Sequence, residues 1–136
     1  MPGWFVAAWI LLLTLSQFAI AQEYPVRPVR MVVPFSSGST IDVMTRLISQ
    51  RLAEDLQQQV IVDNRDGAGG VYGSALVARA TPDGYTLLMG NVGPLAISPG
   101  LLQKMPYDLS NFAPITLTTT GQHLMVVTGT FPATSL

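Results

Sequence analysis

The chain has 136 residues, of which 49% are hydrophobic and 11% are charged, and its formal net charge at pH 7 is -1. This composition is sufficient for one domain with an apolar core, and it excludes an intrinsically disordered chain. The 7 Lys and Arg residues form no basic cluster, so nucleic-acid binding has no electrostatic support. There is no Cys and only 1 His, which excludes disulfides, Cys-based zinc sites and Cys nucleophiles.

An apolar segment at the amino terminus is typical of a targeting signal. Residues 4–13 are all apolar, and Ala19-Ile20-Ala21 forms a small-x-small cleavage pattern before Gln22. The apolar run is short for a membrane span, which needs about 20 residues. We therefore predict a cleaved signal peptide over residues 1–21 and an exported chain from residue 22. An uncleaved membrane anchor is the alternative.

The mature chain is organised around a strand, a loop of small residues and a helix within residues 29–57. The apolar run Val29–Val33 predicts a buried strand that ends at Pro34, because proline cannot donate to a β-ladder. Apolar residues at helical spacing then predict a helix over about residues 40–57. A loop in this position directs backbone N–H groups and the positive end of a helix dipole at one point, which favours an anion.

Asp42 lies in the first turn of this predicted helix, and two roles for it are open. A carboxylate in the first turn is favoured by the helix dipole alone. The carboxylate can also accept N–H groups of the preceding loop and so preorganise that loop. Direct contact with an anionic ligand would be repulsive, so the second role places Asp42 behind the loop.

Two further units of strand and loop follow in the sequence. Residues 60–62 predict a second strand, which is followed by the glycine-rich loop Gly67-Ala68-Gly69-Gly70 and a helix. Residues 85–89 predict a third strand, which is followed by a loop at residues 90–94. Strands that alternate with helices predict an α/β fold with a mainly parallel sheet, and right-handed crossovers place the three loops at one edge. Ligands of open α/β sheets bind at that edge.

The last third of the chain is less regular. Residues 95–102 predict a short helix or turn that is broken at Pro99-Gly100. Two further strands are predicted at residues 112–118 and 124–127. The single histidine, His123, adjoins the last of these strands, and we expect it to be structural rather than catalytic.

The glycine-rich segment at residues 67–73 has three interpretations. A dinucleotide fingerprint requires G-x-G-x-x-G, but Tyr72 occupies the third glycine position and Gly73 comes one residue late. A close turn with positive φ and the lining of a cleft are the other two interpretations. A nucleotide-binding α/β enzyme is therefore the weaker alternative, and we predict no catalytic residue, metal site or cofactor.

A series of short motifs gives the mature chain a resemblance to a known family. The motifs include, in chain order, Tyr24-Pro25, Val32-Val33-Pro34-Phe35, Asn64-Arg65, Gly67-Ala68-Gly69-Gly70, Pro82-Asp83-Gly84-Tyr85 and Pro106-Tyr107-Asp108. Each motif is weak by itself, whereas their order and spacing across residues 24–136 are specific. On these motifs the chain resembles the extracytoplasmic solute receptors of the tripartite tricarboxylate transporters, which are also called Bug receptors.

The resemblance implies a periplasmic receptor of the type II periplasmic-binding fold. Such a receptor captures a small organic carboxylate and delivers it to membrane permease subunits. In that family the loop after the first strand holds the carboxylate, largely through backbone amides and ordered water. The implied ligand-binding residues are Phe35, Ser36, Ser37, Gly38, Ser39, Thr40 and Asp42 of the first loop, Gly69 and Gly70 of the second, and Asn91, Val92 and Gly93 of the third, which would face the first loop across the cleft.

Two departures from the family pattern bear on these expectations. Ser39 stands where the family usually has glycine, so it adds a hydroxyl group and disfavours a positive φ. Family members are longer and have a second lobe and a return segment. Residues 22–136 are therefore expected to form the amino-terminal part of the first lobe, and a truncated product that binds nothing is the alternative function.

Overall fold

The computed structural model describes residues 24–121 and Val126. Its elements in chain order are β1 (Val29–Val33), α1 (Thr40–Leu56), β2 (Val60–Asn64), a 3-10 turn (Ala68–Gly70), α2 (Val71–Ala78), β3 (Thr86–Leu88), a π-helical turn (Gly93–Ile97), α3 (Ser98–Leu101) and a second 3-10 turn (Leu109–Asn111). Within this part of the chain, no helix has both the length and the apolar character that crossing a membrane requires. The predicted signal peptide lies outside the described residues.

The three strands form one parallel sheet with β1 at its centre, in the order β2-β1-β3. In the register, Val29 is opposite Val60 and Arg30 is opposite Thr86. The predicted α/β architecture with a parallel sheet is therefore confirmed. Because the strands are parallel, their carboxyl ends and the loops that follow them lie at the same edge of the sheet.

The core is built around β1, whose residues are buried along nearly its whole length. Val29, Val32 and Val33 are fully buried. Met31 and Val33 belong to an apolar cluster against which side chains of α1, β2 and β3 pack: Ile41, Ile48, Leu52, Val60, Val62 and Leu87. A second cluster centres on Val71, Ala75 and Tyr107 and joins α2 to the chain after α3. The continuous apolar sequence of β1 thus reflects a central strand of a parallel sheet.

Helix α1 has a capping residue at each end. Ser39 is its N-cap, with φ -67 and ψ 157, and the Ser39 side chain accepts the N–H of Asp42. Gln57 adopts the left-handed conformation at φ 50, and its N–H donates to carbonyl groups of the last turn. The helix predicted at residues 40–57 is therefore confirmed to within one residue.

Strand β2 is longer than the sequence indicated. The apolar run predicted a strand at residues 60–62, with Asp63 and Asn64 in the following loop, whereas the strand extends through both polar residues. Asp63 pairs with Val32 and Asn64 with Val33 in the register. Backbone pairing with the central strand, rather than side-chain hydrophobicity, extends β2 to this point.

Two predictions for the last third of the chain are wrong. Residues 112–118 form no strand, and the side chains of Ile115 and Leu117 are 79% and 78% exposed. An apolar run becomes a strand only where another strand pairs with it, and none of the described residues does so here. Pro99 and Gly100 also do not break the helix, because both lie within Ser98–Leu101. Proline is tolerated in a first helical turn, where its missing N–H would be unpaired.

The strand predicted at residues 124–127 falls outside the described residues, apart from Val126. His123 also lies outside them. Their predicted roles therefore stay predictions.

Candidate functional site

The three loops at the carboxyl edge of the sheet meet at Gly70. We call them the first loop (residues 34–39), the second loop (residues 65–70) and the third loop (residues 89–94). Gly70 has a φ of +93, and a Cβ at this position would lie 3.2 Å from Cζ of Phe35 and 3.1 Å from Cγ of Pro94. Only glycine fits such a conformation between two rings, so Gly70 allows the first and third loops to approach the second.

The second loop is a close turn with successive positive φ angles. Gly67, Gly69 and Gly70 have φ of 141, 64 and 93, and Ala68 between them has a φ of 50. Of the three interpretations of the glycine-rich segment, the close turn is therefore observed directly. The turn places Gly73 against Pro34, so that α2 begins beside the end of β1.

The first loop is held from behind by Asp42. This side chain is 2% exposed. Its carboxylate accepts the N–H of Gly38 at 2.9 Å, the Nδ2 of Asn64 at 2.9 Å and the Nε of Arg46 at 3.1 Å. The role of Asp42 as an acceptor of loop N–H groups, which the sequence left open beside a simple dipole effect, is thus observed.

The surroundings of Asp42 keep it ionised. The hydrogen bond from Arg46, followed by those from Gly38 and Asn64, lowers the pKa of Asp42 from 3.8 to about 2. Hydrogen bonds to the charged form and a nearby guanidinium both favour a carboxylate. The negative charge behind the first loop is therefore permanent above about pH 3 and is balanced locally by Arg46.

Some backbone N–H groups of the first loop and of the first helical turn have an acceptor within the described part of the chain, and others have none. Gly38 donates to Asp42, and the N–H groups of Asp42 and Val43 donate to Ser39. The N–H groups of Ser36, Ser37, Thr40 and Ile41 have no partner among residues 24–121. Unpaired N–H groups at the start of a long helix carry the positive end of its dipole.

Ser39 has the backbone conformation of an N-cap and not of a positive-φ turn. Its φ of -67 lies in the extended region, which any residue adopts. Its hydroxyl oxygen accepts the N–H of Asp42 at 3.3 Å. The hydroxyl group that distinguishes Ser39 from the usual glycine is therefore engaged in capping α1.

The third loop is anchored to the second loop and to the chain after α3. Asn91 accepts the N–H of Gly93 through its side chain at 3.0 Å, and a Cβ at Gly93 would lie 3.6 Å from the carbonyl oxygen of Gly69. The hydroxyl of Tyr107 donates to the carbonyl of Pro94 at 2.7 Å, and burial raises the pKa of Tyr107. The second loop thus lies between the first and the third.

The residues that the sequence assigned to the ligand differ in burial. Seven of them are exposed: Ser36, Ser37, Gly38, Thr40, Gly69, Asn91 and Val92. Phe35, Ser39 and Gly93 are half-buried, and Asp42 and Gly70 are buried. All of them lie on the three loops or in the first turn of α1. The side chain of Val92 is 58% exposed, so it is not held in place by packing.

Two residues of the Asp42 network were missed by the sequence reading. Neither Arg46 nor Asn64 is among the ligand-binding residues expected from the sequence. Asn64 Nδ2 donates to the carbonyl of Phe35 at 3.1 Å as well as to Asp42, and its Oδ1 accepts from Arg46 at 3.1 Å. The spacing of Asp42 and Arg46, four residues apart on one helix, is the signal that could have indicated their pairing.

An open groove of about 330 Å³ lies away from the three loops, between α1 and β2. It is lined by Arg46, Ser49, Gln50 and Ala53 of the helix and by Val60 and Val62 of the strand. Arg46 is shared with the Asp42 network, but the groove does not reach the loops that the sequence assigned to the ligand.

Comparison with known protein families defines the class to which this fold and these loops belong. Residues 44–136 match the family described as "Tripartite tricarboxylate transporter family receptor" (TctC). The match covers more than half of the chain, and the chain therefore belongs to this family.

Curated relatives are similar over most of the chain. A UPF0065 protein of Bordetella pertussis is 35% identical over 129 residues, which are 95% of this chain and 40% of that protein. Protein BugT of Bordetella pertussis is 42% identical over 99 residues, which are 71% of this chain and 30% of BugT. The chain thus spans less than half the length of these curated relatives.

Solved structures share the fold over nearly two thirds of the chain. One structure, described as that of a periplasmic transporter, is 41% identical with a TM-score of 0.62. The match covers 64% of this chain and 29% of the chain of that structure. R. palustris Rpa4515 with adipate is 40% identical with a TM-score of 0.62, at 65% and 29% coverage. MatC (Rpa3494) from Rhodopseudomonas palustris with bound malate is 40% identical with a TM-score of 0.59, at 62% and 29% coverage. The predicted fold of the periplasmic binding proteins is confirmed.

Proposed function

We propose that this chain forms part of an extracytoplasmic solute receptor that holds a small organic carboxylate at the first loop. The observation that carries the proposal is the set of unpaired backbone N–H groups at the start of α1. The receptor delivers its carboxylate to the membrane permease subunits of a tripartite tricarboxylate-type transporter. No chemistry on the carboxylate is required of any residue.

The N–H groups of Thr40 and Ile41 provide the attraction for the carboxylate. They lie in the first turn of a helix of 17 residues, so the partial positive charge of the helix N-terminus is added to their own hydrogen-bonding capacity. The N–H groups of Ser36 and Ser37 precede them in the same exposed loop. A carboxylate has two oxygens with about four acceptor positions, so it can accept hydrogen bonds from several N–H donors.

The Asp42 network supports anion binding even though Asp42 is itself an anion. Its carboxylate accepts hydrogen bonds from Arg46, Asn64 and the N–H of Gly38. The guanidinium of Arg46 balances its negative charge, and the two neutral donors stabilise it by hydrogen bonding. Asp42 is buried whereas Ser36 and Ser37 are exposed, and the Ser37 hydroxyl donates to Oδ2 of Asp42 at 3.5 Å. Asp42 therefore acts by shaping the loop, and not by contacting the solute.

The family and its solved members support a carboxylate as the solute and the periplasm as the location. Adipate and malate, which are named with two of the similar structures, are both small dicarboxylates. The amino-terminal segment with its Ala19-Ile20-Ala21 pattern supports export by a cleaved signal peptide. Residues 22–136 would then be the amino-terminal part of a binding lobe, with the ligand residues named above on its three loops.

Thermal melting of the protein produced from the full chain tests this function, with malate and adipate as probes and adipamide as the uncharged control. A ligand that binds the folded state alone raises stability by about 2.7 kcal/mol at 100 times its dissociation constant. We expect a carboxylate to raise the melting temperature and the diamide to leave it unchanged. A cooperative melt that no carboxylate shifts would favour the alternative, a truncated product that binds nothing.

A pair of variants at Thr40 tests the backbone contact directly. Thr40 is the first residue of α1, where proline is tolerated, and Ser39 before it already has an extended conformation that suits a following proline. Thr40→Pro removes one N–H, and we expect it to weaken carboxylate binding by about tenfold, the loss of one charge-assisted hydrogen bond. Thr40→Ala keeps the N–H and is the matched control, with unchanged affinity. Equal affinity of the two variants would contradict the role of this N–H group.

A further inference from the structure

We propose that Asn64 is the positioning residue of the first loop: its side-chain amide ties the loop to β2 and sets the arrangement on which carboxylate affinity depends. This inference rests on the proposed function, and it extends that function to a residue outside the loops assigned from the sequence. Asn64 acts through Phe35 and Asp42 and is not itself a contact of the solute.

The hydrogen bonds of Asn64 join three parts of the site. Its Nδ2 donates to the carbonyl of Phe35 at 3.1 Å and to Oδ1 of Asp42 at 2.9 Å. Its Oδ1 accepts from Nη2 of Arg46 at 3.1 Å. The amide thus links the start of the first loop to the first and second turns of α1.

Asn64 is well placed to hold these groups because it belongs to the sheet. It is the last residue of β2 and lies opposite Val33, the last residue of the central strand. Val33 is fully buried, so this end of the sheet is firmly packed. Because Asn64 is fixed in the sheet, its hydrogen bond to Phe35 holds the loop after β1 in a defined position relative to the sheet.

The chemistry of the three partners requires an amide. The carbonyl of Phe35 and the carboxylate of Asp42 both need a donor, whereas the guanidinium of Arg46 needs an acceptor. An asparagine side chain supplies two N–H donors and one carbonyl acceptor in a single plane. An aspartate in its place would supply no donor and would place a second negative charge beside Asp42.

Loss of the amide changes the loop through Asp42. Asp42 Oδ1 accepts a hydrogen bond from Nδ2 of Asn64, and Asp42 Oδ2 accepts the N–H of Gly38 at 2.9 Å. A displaced Asp42 would release Gly38, whose φ of +83 belongs to the turn between Ser36 and the start of α1. Small displacements of a binding group lower affinity strongly, so the loop requires this support.

Affinity measurements on Asn64→Ala and Asn64→Asp test the inference, with malate and adipate as probes by titration calorimetry on the protein from the full chain. We expect both variants to bind at least about tenfold more weakly than the native protein near neutral pH, since each loses the hydrogen bonds to the Phe35 carbonyl and to Asp42. Val60→Ala is the control, because Val60 lies in the same strand and packs against the core. It lowers stability without touching the Asp42 network and should retain native affinity.

The pH dependence of binding separates positioning from a loss of stability. In Asn64→Asp, two carboxyl groups share one site, so one of their pKa values rises strongly and a proton returns as pH falls. That proton restores one donor, and we expect the affinity of Asn64→Asp relative to the native protein to recover in part toward about pH 5. Asn64→Ala has no such proton and should not recover. Asn64→Ser retains one donor and should have intermediate affinity near neutral pH.

Hydrogen exchange of the Gly38 N–H tests the same inference without any solute. We expect exchange to be faster in Asn64→Ala and Asn64→Asp than in the native protein and in Val60→Ala. Native affinity in the Asn64 variants together with unchanged Gly38 exchange would overturn the inference. If the native protein binds neither probe, the proposed function fails, while Gly38 exchange still decides the role of Asn64.

Discussion

At the residue scale, the first loop owes its shape to one buried carboxylate. Asp42 accepts hydrogen bonds from the loop, from α1 and from β2, and each of these donors favours its charged form. Burial of a carboxylate is unfavourable unless it is paired and hydrogen-bonded, and Asp42 meets both conditions. This single residue thus connects the stability of the fold to the geometry of the candidate site.

The stability of the protein is expected to decrease as the pH is lowered through the range from about 4 to about 2. The pKa of Asp42 is about 2 in the folded state, below its ordinary value of 3.8, so the unfolded chain takes up the proton first. The stabilisation is therefore complete above pH 3.8 and is lost as the pH falls through the folded pKa. Urea unfolding across this range measures the effect.

Asp42→Asn is the control for this titration. It should be less stable than the native protein at neutral pH, and the difference between the two should shrink in acid. Asp63 and Asp108 are present in both proteins, so their titration does not affect the difference between them. Burial raises the pKa of Asp63, but the hydrogen bonds from Arg30 and Arg65 outweigh burial, so that this pKa is lowered overall. Hydrogen bonds from Ser110 lower the pKa of Asp108. A stability difference that stays constant from neutral to acid pH would contradict the role assigned to Asp42.

A substitution at Gly73 tests how closely α2 packs against the end of β1. A Cβ at this position would lie 2.6 Å from the carbonyl oxygen of Arg65 and 2.8 Å from Cα of Pro34, which are both backbone atoms. We expect Gly73→Ala to lower the free energy of unfolding by about 1–3 kcal/mol through overpacking. Gly100→Ala is the control, since nothing lies within 4 Å of its Cβ position and it is in a helix. Equal melting temperatures of the two variants would show that α2 can move away from Pro34.

At the element scale, α1 is the helix that links the core to the candidate site. Its apolar residues Ile48 and Leu52 pack on the cluster around β1, while its first turn carries the unpaired N–H groups. The position of those N–H groups therefore depends on where the helix begins. That point is set by Ser39, which satisfies the N–H of Asp42.

Removal of the N-cap should destabilise the start of α1. Ser39→Ala is expected to lower the free energy of unfolding by about 0.5–2 kcal/mol, while Ser39→Gly costs only a few tenths, because an N-cap glycine is tolerated better than alanine. Ser36→Ala is the control, since Ser36 is an exposed residue of the same loop. Chemical unfolding of the three variants measures the differences. A loss in Ser36→Ala as large as that in Ser39→Ala would argue against capping as the cause.

At the scale of the whole molecule, stability is concentrated in the sheet and its two apolar clusters. β1 is buried and pairs with β2 and β3 at its two edges, whereas the chain after Phe112 leaves apolar side chains in solvent. In that stretch the side chains of Ile115 and Leu117 are 79% and 78% exposed. Apolar residues after Phe112 thus add little to the core of the described part of the chain.

Two variants compare the contribution of the core to stability with that of this stretch. Val32→Ala removes buried methyl groups from a fully buried position, and we expect it to lower the free energy of unfolding by about 2 kcal/mol. The double variant Ile115→Ser and Leu117→Ser should change it by less than about 0.5 kcal/mol, because both side chains are already in solvent. Urea unfolding of both proteins measures the difference. A large loss in the double variant would indicate that this stretch packs against the protein in solution.

The sequence by itself determined those features that depend on neighbouring residues. The apolar run of β1 and the proline after it define a strand and its end, since both act within a few residues. The helical spacing and the serine at the cap define α1 in the same way. The place of the candidate anion site at the edge of the sheet also followed, because parallel strands bring their carboxyl ends together.

Only the tertiary structure decided the contacts between residues that are distant in the chain. Asn64 is separated from Phe35 by 29 positions and from Asp42 by 22, and the register of β2 with β1 brings them within hydrogen-bond distance. Residues 112–118 form no strand for a related reason, since no strand among residues 24–121 pairs with their backbone groups. Local pattern specifies which residues can form an element, and long-range pairing determines whether they do and which side chains then meet.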